Sequence, residues 1–509
     1  MWYGPILSDN QPGRTACAER ESLAMIHRHS SAVAASLMAA LLIGILSATI
    51  LPEPVLAKDT AYDYYVFGVG YQDIDDFPHA IENYTKAIQL DPKLVKAYHG
   101  RGVARAQSND LPGAIADFTK TIELDPTFAK AYLNRGLGFL QQEKAEEALA
   151  DLTKAIALDP KAAEAYCYRG EAQELKADLA GALSDYTKAL ELNPYLAEAY
   201  AGRGEARLAQ GDAPGAIADF TKQIERRHQI DEAHFGLGQA YEQQGHMDQA
   251  VDEYTKTVAA DPKHVRAYLK RAQIRLTQRQ FDGAIEDYTK ALAIDPMQHT
   301  VYRKRAEARR QIGDLSGAIA DYTTSLEKEG QHPSDETWDL YYQRAALRSD
   351  QGDAEGAIKD YTQVITLKPE MADGYRRRAA LSWQQHDIEG ALRDCTEILR
   401  LDPNDARTYF NRGVMRLQQG NLDGAIEDNT RAISLRPDAV DAYRNRAVAR
   451  ERKGDLAGAV TDLEEALPHS TATTRPELER LLEQARAHLQ QQTQQSKPTQ
   501  QSTIRQRQG

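Results

Sequence analysis

"AYDYYVFGVGYQDIDDFPHAIENYTKAIQLDPKL", residues 61–94, holds two apolar runs at helical spacing, parted by an acidic turn and closed by a proline. That proline, Pro92, returns as Pro126, Pro160 and Pro194, each 34 residues after the last, and the register continues through Pro262, Pro296, Pro369, Pro403 and Pro437. Reading each unit from 31 residues before its proline gives twelve repeats from Ala61 to Thr473, contiguous except for five extra residues, "PSDET", at 333–337. Self-similarity at a fixed period of this size marks a stacked array, because one such unit cannot bury its apolar face alone.

Each repeat reads as two helices. The first ends at a turn such as Gly211-Asp212, Gly313-Asp314, Gly352-Asp353 or Gly454-Asp455, where glycine can take the left-handed conformation that closes a helix. The second runs through sequence like "GAIADFTKTI" (113–122) to the proline. Repeat position 20 is alanine in all twelve, from Ala80 to Ala459, and position 8 is always glycine or alanine, as in Gly68, Gly204, Ala272 and Ala447. Small residues at those two places let the paired helices approach closely. The expected fold is all-α, an array of antiparallel helix pairs.

These residues resemble the tetratricopeptide repeat family, whose signature is matched throughout by the first repeat: Tyr64, Gly68, Tyr71, Ala80, Tyr84, Ala87 and Pro92. The resemblance implies a right-handed superhelical solenoid in which the first helix of each pair lines a concave groove, and an interaction scaffold rather than an enzyme. His228 and Gly330 stand where proline is expected and mark places for a change of pitch. After Thr473, Thr474 and Glu477 are spaced as a capping box, and Leu478, Leu481, Leu482, Ala485 and Leu489 form one stripe. Residues 474–490 therefore read as a helix that covers the last face of the array, and 491–509 as a disordered, glutamine-rich tail. The organisation is a leader at 1–57, repeats one to eight at 61–332, the insertion at 333–337, repeats nine to twelve at 338–473, and these two terminal pieces.

Arginine occupies position 7 in ten repeats, Arg203 and Arg412 among them, where an apolar residue would pack. In paired helices joined near position 15, positions 7 and 23 lie at a similar level. Position 23 is aspartate in the same ten repeats, as in Asp219 and Asp428, and the two that lack the arginine also lack the aspartate: Phe67 with Asn83, and Leu237 with Glu253. Joint presence and absence within one chain is what a direct ion pair predicts, because a lone buried partner is costly.

On the family's geometry, positions 2, 5, 6, 9, 12 and 13 point into the groove. Repeats two and three then offer Lys96, His99, Lys130 and Asn134; repeats four to six are acidic, with Glu171, Glu198 and Glu205; repeats seven and eight are basic, with Lys270, Arg303 and Arg310; and Arg376, Trp383 and Asn411 follow. Alternating charge blocks suit an extended peptide or another protein's surface. The clamp with which some family members hold chaperone C-termini is not met, since Asn134 is followed by Glu164 and Tyr168 where lysine and arginine are required.

A formal net charge of −13 over 509 residues argues against a nucleic-acid partner. Cys17, Cys167 and Cys395 are too scattered for a disulfide framework or zinc site. His234 and His246 lack metal-ligand spacing, and no nucleophile elbow, phosphate loop or zinc-protease motif occurs. No catalytic residue, metal or cofactor is expected. Residues 32–51, "AVAASLMAALLIGILSATIL", are twenty uncharged residues preceded by Arg28, with Val55 and Ala57 placed for cleavage before Lys58. They read as an export signal or a retained anchor, and either sends the rest of the chain across a membrane. The leader makes a more ordinary signal from Met25 than from Met1. The expected function is an exported or anchored scaffold for proteins or peptides. The alternative is a holdase for secreted chains, with RNA binding a poorer third.

Overall fold

The computed structural model describes residues 59–330 and 334–495; the apolar segment 32–51 and the tail from 496 lie outside the described residues. Among the described residues there are twenty-five α-helices and one short 3-10 helix, Leu467–His469. No helix among them is long and apolar enough to cross a membrane. The described residues divide into two compact bodies, the first ending at Arg135 and the second beginning at Gly136, with the division inside the helix Ala129–Leu140.

In the first body the helices Ala61–Asp73, Phe77–Leu90, Val95–Gln107 and Leu111–Leu124 each pack on the next. The second continues the pattern from Ala145–Leu158 to Arg475–Gln495. Within a repeat the turn does two jobs. Gly211 has a φ of +87° and closes the helix Ala197–Ala209, while Asp212 caps the next, accepting the Gly215 N–H at 3.0 Å. A side chain on Gly215 would run into that carboxylate, since a Cβ there would stand 2.1 Å from Asp212 Oδ2. The Gly-Asp pair is therefore a stop followed by a start.

The core is made of small-on-large contacts repeated along the array. Ala216 is fully buried, and a Cβ on Gly204 would lie 2.8 Å from the Phe220 ring, so the ring at position 24 occupies the room that position 8 leaves. Tyr84 does the same against Gly68 in the first body. Tyr186, Tyr254 and Tyr288 repeat the arrangement in the second, each 2% exposed or less.

Two boundaries differ from the sequence reading. Thr337, assigned to the insertion, begins the helix Thr337–Asp350; it is buried, and its hydroxyl donates to Glu329 at 2.8 Å. The terminal helix runs Arg475–Gln495, five residues into the stretch expected to be tail. Its continuation, "QQTQQ" at 491–495, contains no helix breaker. Its start also differs: Thr474 Oγ1 accepts the N–H of Thr471 at 3.0 Å, and Glu477 approaches Arg444 at 3.7 Å. Leu478, Leu482 and Ala485 close over Tyr443, Ala447 and Leu463.

Candidate functional site

The arginines of position 7 turn inward. Arg203 Nε and Nη2 donate to the two carboxylate oxygens of Asp219 at 3.0 and 2.7 Å, and Nη1 reaches Thr187 of the preceding repeat at 3.4 Å. The guanidinium also lies 5.7 Å from the ring of Tyr200. Arg412 holds Asp428 at 2.7 and 3.0 Å in the same two-pronged way, as do Arg271 with Asp287 and Arg344 with Asp360 in the second body and Arg101 with Asp117 in the first. This planar fork matches a carboxylate as lysine cannot. Each brace ties a repeat to itself through the aspartate and to its predecessor through the threonine.

Two members of this brace escaped the sequence reading. Arg207, at position 11, donates to Asp219 at 2.7 Å and to the Gly215 carbonyl at 3.2 Å, so one carboxylate serves two arginines. The threonine at position 25 is the other. Its signal was present, since Thr85, Thr119, Thr187, Thr255 and Thr289 recur in register, but only the link across repeats gives it a partner. In the sixth repeat, where Leu237 replaces the arginine, Glu253 lies 2.6 Å from His234 Nδ1 and 2.6 Å from Lys256; in the first, Asn83 donates to the His79 carbonyl instead.

On the open face of the first helices, the cations and the carboxylates fare differently. Lys270 is bound to Glu242 at 3.1 Å; Arg303 is held by Glu336 at 2.8 Å and Asp339 at 3.1 Å; Arg376 meets Asp405 at 3.1 Å. Arg310 and Asn411 are exposed. Trp383 is not an open anchor, because it packs against Ala379, Ala391, Cys395 and Met415. In the first body Lys96 and Lys130 are exposed, and Asn134 Nδ2 lies 3.1 Å from His99 Nε2. Burial, with Lys130 nearby, pushes His99 down to about 4, so it is neutral near pH 7.

The acidic block is brought together. Burial, with Glu232 and Glu171 close by, pushes Glu205 up to about 7 against the opposing pull of Arg266. Glu205 is nevertheless an exposed residue, so it is its carboxyl's crowded surroundings, not enclosure of the whole side chain, that raise it. Glu174 rises to about 7 for the same reasons, with Glu205 and Glu171 adding to burial, although the Tyr186 hydroxyl donates to it at 2.8 Å. Glu198 is half-buried and acts on the buried Cys167 together with Glu171. Glu232 differs, held below the usual carboxylate range by His264. Arg266 lies over the Phe235 ring at 4.4 Å, an aromatic edge to the same region. The arrangement has the chemistry of a charged binding face. Among the described residues no cluster of three or more metal-ligating side chains occurs.

Comparison with known families agrees with the repeat geometry. The profile described as Tetratricopeptide repeat matches residues 176–229, 201–265, 235–299, 269–336, 342–406, 381–435 and 410–473, and one described as TPR repeat matches 138–176. The chain belongs to the tetratricopeptide repeat family. Its members are scaffolds for protein–protein interaction, generally non-catalytic, and the fold implies protein or peptide partners. No curated protein matches the chain. Among solved structures, MamA is 28% identical over 31% of this chain and 94% of its own, with a TM-score of 0.30. YrrB, described as a TPR protein with an unusual peptide-binding site, is 19% identical over 38% of this chain and 96% of its own, with a TM-score of 0.32. Yeast Tom70 is 16% identical over 84% of this chain and 96% of its own, with a TM-score of 0.29.

Proposed function

We infer that this chain is a non-enzymatic scaffold, exported or anchored through residues 32–51, which holds extended segments of partner proteins along the first-helix groove. The acidic stretch Glu171–Glu174–Glu198–Glu205 is the place for a lysine- or arginine-bearing segment. One observation carries the assignment: Glu205 and Glu174 stay near 7, while Lys270, Arg303 and Arg376 already have carboxylate partners. A cation docked there stabilises the ionised carboxylates, and complementary charge fixes register and orientation. Cofactor and nucleic acid play no part in this reading.

The test uses crosslinking in intact cells with the full chain, beside Glu171→Lys with Glu205→Lys. One or a few partners, retained at moderate salt and lost in the charge-reversed chain, are expected. Suppressed aggregation of unrelated unfolded proteins by both forms would instead establish a holdase. A labelled lysine-rich peptide gives the pH signature. Since Glu205 and Glu174 ionise through about 7, binding is full above that value and falls as the pH drops to 6. A flat profile rejects the site. N-terminal sequencing of the chain from membrane and exported fractions decides between a cleaved signal and a retained anchor, and finding the chain in neither removes the export reading.

A further inference from the structure

The first helix of the array, Ala61–Asp73, leaves one face open. Tyr62 is 61% exposed, Val66 43%, Phe67 49%, Tyr71 37% and Ile74, just past the helix end, 70%. At helical spacing these fall on one broad stripe with Gly70 in its middle. The centre of the equivalent face is covered in later repeats, while the positions of Tyr62 and Ile74 at its edges stay exposed there, as at Lys96 and Ser108. Where the first repeat has Gly70, the second, fourth, fifth and sixth carry Ala104, Ala172, Ala206 and Ala240, each 0% exposed, and the third carries Gly138, which is buried. Where it has Asp63, they carry Ala97, Ala165, Ala199 and Ala233, also 0% exposed. The cover is the second helix of the preceding repeat: a Cβ on Gly374, the tenth repeat's counterpart of Asp63, would lie 2.9 Å from Ile365 on that helix. The open face is thus built to receive a helix.

Gly70 sharpens the point. A Cβ there meets nothing within 4 Å among the described residues, whereas one on Gly68 would strike the Tyr84 ring at 2.7 Å. A glycine inside a helix costs stability, and no described contact within the chain requires this one. It leaves a hole in an aromatic surface, the feature that lets a neighbouring side chain seat as a knob. Asp63 lies two turns back on the same face, and hydrogen bonds from Thr60 hold its carboxyl below the usual range, so the face presents a negative charge.

We propose that this face docks an amphipathic helix of a partner protein, which covers Tyr62, Val66 and Phe67, seats an apolar side chain in the hole at Gly70, and brings a lysine or arginine to Asp63. The other occupants fit less well. The apolar segment 32–51 has no charge on any side, so it offers nothing to Asp63 and would turn its outer faces to water. A second copy of the same face sets Asp63 and Asp73 against their own kind. An anionic lipid surface meets the same repulsion from Asp59, Asp63, Asp73, Asp75 and Asp76.

The probe is a fluorescein-labelled peptide of residues 179–196, the second helix of the fourth repeat with its loop, carrying Leu190→Lys. Leu190 holds the repeat position of Ile365, so the lysine is aimed at Asp63. The full chain should bind it saturably by fluorescence anisotropy. Gly70→Leu, which fills the hole without touching the interior, should weaken binding about tenfold or more, roughly 1.4 kcal/mol. Asp63→Lys should also weaken it and should regain affinity for the Leu190→Glu peptide. Binding indifferent to Gly70→Leu, or none that saturates, overturns the proposal. So does protection of Val66→Cys from a water-soluble maleimide in the peptide-free chain, which assigns the face to residues before 59. A dimer abolished by Gly70→Leu assigns it to a second copy and overturns it equally.

Discussion

Arg203 stands on a helix face where an apolar side chain would pack, and its chemistry is structural because Asp219 and Thr187 take up its donors. The pairing was legible from sequence, since arginine and aspartate come and go together along one chain. That the carboxylate is shared was not: Gln173 and Ser382 occupy position 11 in repeats whose aspartates, Asp185 and Asp394, remain. The sharing changes the appropriate test. Replacing Arg203 and Asp219 together would strand Arg207, which donates to Asp219 at 2.7 Å. The cleaner pair is Arg169 with Asp185, joined at 2.6 and 2.7 Å with glutamine at position 11. Arg169→Leu alone should cost about 3–5 kcal/mol, discounted for its partial exposure, because Asp185 is left buried without its cation. Adding Asp185→Tyr should recover most of the loss in urea unfolding. Arg203→Leu with Asp219→Tyr should recover less. Additive losses at Arg169 and Asp185 would refute the brace.

At the level of the helix, the meaning of a glycine depends on what faces it. Gly204 and Gly70 both lie inside first helices, and the sequence reads them alike as small residues in a helical run. The structure separates them: a Cβ on Gly204 stands 2.8 Å from Phe220, while one on Gly70 stands in open space. Other repeats place Ala272 and Ala306 at the position of Gly204, so a single methyl is accommodated with a small shift, but a branched side chain is not. Gly204→Leu should destabilise by about 1–3 kcal/mol through overpacking. Gly70→Ala should stabilise by about 0.5–1 kcal/mol, as the helix gains a better former. Thermal melts of the two variants check the pair, and changes of the same sign would contradict the packing described. Helix ends were legible because turn chemistry is local. Asp212 as the start of the following helix was hidden behind the glycine that stops the preceding one.

Over the whole chain, stability in an array is a sum of repeats and the interfaces between neighbours, so the ends govern much of it. The helix Arg475–Gln495 lays Leu478, Leu482 and Ala485 over Tyr443, Ala447 and Leu463. Ending the chain at Thr473 uncovers that cluster. Amide exchange should then quicken over residues 440–466 first, with repeats further back protected nearly as before. Uniform loss of protection would show the second body unfolding as one cooperative unit instead. The sequence by itself determined the period, the helix pairs, the small-residue contacts and the arginine–aspartate partners, because spacing within 34 residues sets each of them. Tertiary structure alone decided which charges are already spent. Lys270 finds Glu242 and Arg303 finds Glu336 and Asp339 across neighbouring repeats, while Glu174 and Glu205 are crowded until their carboxyls titrate near 7. Reach between helices and exclusion of water settle such matters, and neither is written in the order of residues along one repeat.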